Sequence, residues 1–130
     1  MRSEQDTNEA QVRELVESWA RAVREADMDG VLAHHADDIV MFDVPRPLQL
    51  KGIDAYRQAW ELFFSFQGKG AFDLSELEIS AGDDVAFCHS IVTCGPKEKE
   101  GQFQVRLTAG LRKIGGQWVI THEHHSVPAE

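Results

Sequence analysis

His122, His124 and Asp43 are the residues whose types and placing can do chemistry. A buried imidazole needs a hydrogen-bond partner, and one that titrates near neutral pH can shuttle protons. His122 and His124 stand two apart on what reads as a strand, so they share a face. Such a His-x-His pair can also chelate a metal, but local spacing marks no third ligand, and no metal site is expected. The bland alternative for each is a core histidine whose ring is simply satisfied. Asp43 follows the apolar pair Met41-Phe42. A carboxylate at the lip of an apolar pocket holds its proton more tightly, toward the range of a general base. Its ordinary alternative is a turn aspartate before Val44-Pro45 that accepts backbone hydrogen bonds.

The face on which the histidines lie depends on a turn. Gly115-Gly116 between Ile114 and Gln117 is a two-residue hairpin turn. An unbroken ladder from it pairs Lys113 with Trp118, Leu111 with Ile120, Ala109 with His122, Leu107 with His124 and Val105 with Ser126. That face is apolar and must meet the rest of the core, so His122 and His124 are expected inside. The other face then carries Arg106, Glu123 and His125, turned toward solvent or a second subunit.

The elements that would hold these residues follow from periodicity. Val12, Leu15, Val16, Trp19, Val23 and Ala26 recur at threes and fours, predicting a helix from about Thr7 to Glu25 with a capping-box-like start at Asp6 and Glu9. Asp27-Met28-Asp29-Gly30 breaks it and caps a short second helix carrying Val31, Leu32 and His35, with His34 in solvent. Ile39 to Phe42 reads as a short strand. Ile53, Tyr56, Trp60 and Phe63/Phe64 repeat the helical stripe up to Gly68 and Gly70. Four β-rich runs follow, at about 71 to 80, 84 to 95, 101 to 114 and 117 to 127. Helices first and strands after make the fold α+β: one domain over 1–130, about 1–6 flexible, with three N-terminal helices on a curved antiparallel sheet. Trp19, Tyr56, Trp60, Phe63, Phe42 and Leu107 are candidate wall residues of a pocket left open at one end of that cone.

Composition limits the partners. The net charge of −9 repels phosphate backbones and anionic lipid, and the thirteen Lys and Arg are scattered. Neither nucleic acid nor membrane is an expected partner. No run approaches the roughly 18 apolar residues of a spanning helix, and no signal peptide is visible, so a cytoplasmic location is expected. Cys88 and Cys94, six residues apart on one strand, are about 20 Å apart at roughly 3.3 Å per residue and read as reduced thiols. With no nucleotide-binding glycine motif, Cys-x-x-Cys pair or Gly-x-Ser-x-Gly elbow, no cofactor is expected.

Segment Ala26 to Leu32, the run Ala36 to Asp43, the Lys51-Gly52-Ile53 helix start and the ending Gly116 to Ser126 together resemble the nuclear transport factor 2-like superfamily. Within it the chain is most similar to SnoaL-like and ketosteroid-isomerase-like proteins. Its ending also resembles the association domain of calmodulin-dependent kinase II. The resemblance covers nearly the whole chain and implies a cystatin-like α+β roll, a homodimer and a pocket for a small apolar organic molecule. It does not fix the activity, because the superfamily holds isomerases, cyclases, dehydratases, epoxide hydrolases and assembly modules. It implies that Asp43 takes the place of the isomerase's general base and Trp19 that of its oxyanion-binding tyrosine. The assisting acid has no counterpart, since Gln102 to Lys113 contains no carboxylate. The expectation is an isomerase, cyclase or dehydratase with Asp43 as base and His124 or His122 as donor, set against a non-catalytic binding or oligomerisation module.

Overall fold

Ser3 starts the chain's first helix: its hydroxyl accepts the Asp6 backbone N–H at 3.1 Å. A computed structural model describes residues 3–98 and 100–129. Helix α1 spans Glu4–Arg24, so it begins three residues before the expected Thr7 and is capped by Ser3, not by Asp6. Residues 4 to 6, expected to be flexible, belong to it. Its stripe of Val12, Val16, Trp19 and Val23 is buried, each such side chain worth about 1.5–3 kcal/mol of transfer free energy. Helix α2, Met28–Leu32, is capped by Asp27, whose carboxylate accepts the Gly30 N–H. It lies so close to α1 that a Cβ on Gly30 would stand 2.8 Å from the Ala22 Cβ, which requires glycine.

Strand β1, His35–Phe42, begins earlier than expected and takes His35 out of the second helix. A two-residue strand β2, Leu50–Lys51, then precedes α3, Ile53–Gln67. Strands β3 (Ala71–Ala81), β4 (Val85–Gly95), β5 (Phe103–Ile114) and β6 (Gln117–Ser126) follow, as the four β-rich runs predict. One sheet has the order β2-β1-β6-β5-β4-β3, antiparallel throughout except where β1 runs parallel to β6. The helices pack on one face of it, burying Ile39, Met41, Val92, Leu107, Leu111, Trp118 and Ile120. The fold is α+β, helices on a curved sheet.

The Gly115-Gly116 hairpin starts in the expected register, with Lys113 opposite Trp118 and Leu111 opposite Ile120. It then slips. Thr121 is an extra residue in β6, so Gly110 faces His122, Ala109 faces Glu123, Thr108 faces His124 and Leu107 faces His125. One inserted residue turns every later side chain to the opposite face. Glu123 and His125 are therefore buried, while His124 is exposed and His122 half-buried on the outer side. Arg106 stays outside, where its Nε donates to Ser126 Oγ.

Candidate active site

Glu123 is the centre of the buried polar group. It is 1% exposed, and three donors converge on its carboxylate. His125, two residues along the same face, donates from Nε2 to Oε1 at 3.0 Å. His35, on the adjoining β1, brings Nε2 to within 2.8 Å of Oε2. Tyr56, from α3, donates its hydroxyl to Oε2 at 2.7 Å and accepts the Trp19 indole N–H at 3.0 Å. The tautomer of His35 follows from its other nitrogen: Nδ1 lies 2.8 Å from the Ala33 carbonyl, which can only accept. The Nε2 of His35 also lies 3.0 Å from the Tyr56 hydroxyl.

The electrostatics agree with this geometry. Burial alone would raise the pKa of Glu123, but the hydrogen bonds from His125 and His35, with their charges, bring it down to about 2. Burial likewise disfavours the charged form of His125, yet the Glu123 hydrogen bond and charge, with a contribution from Asp43, leave its pKa raised above 6.5. Tyr56 is pushed well above 10 by burial and by the Glu123 charge, so it remains a donor.

A cavity of about 480 Å³ opens beside this group, between α3, the loop after β1 and the ends of β4 and β5. Its walls are largely apolar, with Met41, Trp60, Phe63, Phe72 and Val105 among them. Asp43, Arg46, Cys94 and His125 are the titratable side chains on its lining. Asp43 is half-buried and its Oδ1 accepts the Val44 N–H at 2.8 Å. The Nδ1 of His125 bonds to no described residue. A second depression of about 520 Å³, near Gly82, is open to solvent and has Glu9 as its one titratable side chain among the described residues.

Asp43, Trp60 and Phe63 line the cavity. Trp19, Tyr56 and Leu107 are buried but do not line it; Trp19 spends its single N–H on Tyr56, so it cannot also serve an oxyanion. Phe42 is on the outer face, 37% exposed, its ring edge-on to both His122 and His124. The Nδ1–H of His122 is taken by the Val40 carbonyl at 2.7 Å. His122 and His124 do not reach the cavity, which corrects the expected donors. Glu123 and His125 face inward because of the bulge in β6, and His35 reaches them because it begins β1 instead of ending the second helix. Gly110, a glycine inside a strand, was the available sign of a bulge. Among the described residues no group of three or more His, Cys, Asp or Glu is placed to hold a metal. No described helix is long and apolar enough to cross a membrane.

A cone of helices and curved sheet around an apolar cavity with a few polar groups defines a pocket-bearing α+β class. Residues 12–130 match the SnoaL-like domain, and the chain belongs to that family. An NTF2-like protein of unknown function from Pseudomonas putida KT2440 is 40% identical, over 95% of this chain and 89% of that one, with a TM-score of 0.90. A protein with a cystatin-like fold from Nostoc punctiforme is 20% identical over 98% and 95% of the two chains, TM-score 0.79. A ketosteroid isomerase-like protein from Erwinia carotovora atroseptica is 22% identical over 95% and 98%, TM-score 0.75. The last two likenesses concern the fold alone. No curated protein matches the chain.

Proposed function

We propose that the protein is an enzyme of the isomerase, cyclase or dehydratase kind, moving a proton next to the carbonyl of a small apolar compound. One observation carries this reading: Asp43 and His125 line the same apolar cavity, and His125 is held from behind by Glu123. Asp43 takes the proton from the carbon beside the carbonyl. The Nδ1–H of His125 donates to the carbonyl oxygen as it gains negative charge, a task for which a fixed donor in a dry site is effective. The protonated Asp43 then returns the proton to another carbon, giving isomerisation, or to a departing hydroxyl, giving dehydration. His125 replaces His122 and His124 as donor, while Asp43 keeps the role of base.

The test needs no knowledge of the natural substrate. Cyclic ketones and enones are incubated with protein in D₂O, and exchange beside the carbonyl is read by NMR. Exchange above the buffer rate by the wild type, lost in Asp43→Asn and reduced in His125→Gln, supports the reading. Equal rates for wild type and Asp43→Asn end it.

A homodimer and a cytoplasmic location remain parts of this proposal. The outer sheet face bears exposed Phe42, Val85 and Phe87, apolar area that a second copy would cover. Light scattering returning only monomer at high concentration would count against the dimer.

A further inference from the structure

The rim of the cavity is apolar and carries, among the described residues, one cation without a partner. Leu62, Phe66, Phe103 and Val127 line the cavity and are also exposed to solvent, Phe66 at 84%. Leu48, in the same loop as Asp43, is 93% exposed. The apolar lining therefore continues outward as a collar. Arg46 lies in that loop, exposed yet lining the cavity, and forms no ion pair or side-chain hydrogen bond among the described residues.

Glu123 faces His35 and His125, and the charge of Asp43 acts on His125. Asp43 is not the partner of Arg46, although only three positions separate them. Arg46 has no counterion among the described residues, and its guanidinium offers a planar fork that suits a carboxylate or sulfonate. An anionic group at the rim stays partly hydrated, avoiding the cost of burying a charge, while the apolar body attached to it enters the cavity.

From this arrangement we infer that the ligand is an amphipathic anion: an apolar, ring-sized body in the cavity with an acidic group paired to Arg46 at the mouth. This rests on the proposed function for the claim that the body carries the reacting carbonyl. It adds that the substrate is an apolar carbonyl acid, and it makes Arg46 a specificity-determining residue.

The experiment compares two fluorescent probes that share one scaffold: 8-anilinonaphthalene-1-sulfonate, which is anionic, and neutral N-phenyl-1-naphthylamine. Wild type is expected to bind the sulfonate more tightly. Arg46→Gln is expected to weaken sulfonate binding by about fivefold, the scale of a rim ion pair, leaving the neutral probe unchanged. Arg46→Lys should restore part of the loss. Both probes should slow alkylation of Cys94, which lines the cavity. Equal affinity of wild type for the two probes, an equal effect of Arg46→Gln on both, or failure of either to protect Cys94 overturns the inference. Probe discrimination without deuterium exchange would sink the proton-transfer reading alone; exchange without discrimination would sink only the role of Arg46.

Discussion

Nε2 of His125 and Oε1 of Glu123 stand 3.0 Å apart on one face of β6, and this contact joins the cavity to the buried polar group behind it. Behind Glu123 are His35, Tyr56 and Trp19, each with a hydrogen bond that fixes the next. The ring of His125 is thereby held in one orientation, with Nδ1 left over for whatever occupies the cavity.

Replacing Glu123 by Gln removes one acceptor oxygen from a site where three donors converge. At least one of the Tyr56, His35 and His125 hydrogens then faces an amide N–H. Breaking a buried charged group of this kind costs about 3 kcal/mol. Urea unfolding followed by tryptophan fluorescence should show that loss, and the NMR titration of His125 should move to lower pH. A variant as stable as wild type, with His125 unmoved, would show that Glu123 does not hold the group together.

Stability should depend on pH from both sides. Glu123 falls from an ordinary 4.5 to about 2, so its contribution is present above 4.5 and is lost as pH drops toward 2. That shift corresponds to about 3 kcal/mol, an upper bound for so coupled a site. His125 shifts upward from 6.5, so its contribution is full below 6.5 and disappears as pH rises through the folded value. Urea midpoints across pH should peak between about 4.5 and 6.5. A profile still rising from pH 6.5 to 8 would contradict the sign assigned to His125.

Deleting Thr121 makes a direct test of the bulge. His122 already faces Gly110, so removal of the extra residue leaves Glu123 opposite Ala109 and His125 opposite Leu107. The inward set is expected to survive, with a modest loss of stability where β1 changes register against β6. Hydrogen exchange and the His125 titration should remain native-like. If His122 and His124 turned inward instead, the partners of Glu123 and His125 would not be what holds the strand end on its native face.

The two thiols offer a chemical check. Burial pushes both Cys88 and Cys94 up to about 11. The thiolate is the nucleophile, so alkylation by iodoacetamide at pH 8 should be far slower in the folded protein than for a free thiol. As pH approaches 11, Cys94 should react before Cys88, because Cys94 borders the cavity and Cys88 is 0% exposed. Mass spectrometry of peptides at timed intervals reads the order. Labelling of both at pH 8 as fast as a free thiol would mean that the sheet opens far more readily than its packing allows.

Sequence alone determined the order of elements, the α+β class, the two long helices and the four closing strands. These follow from local periodicity, turn residues and the apolar stripe, which need only near neighbours. The inward face of the last strand needed more. Trp118 and Ile120 mark the core side, but Thr121 to Ser126 is wholly polar, and a run without apolar alternation leaves the register undetermined. Which of its polar residues enters the core was decided by the bulge at Thr121 and by partners far away in the chain. His35 from β1 and Tyr56 from α3 supply the hydrogen bonds that make a buried Glu123 tolerable, and only the tertiary structure brings them to it.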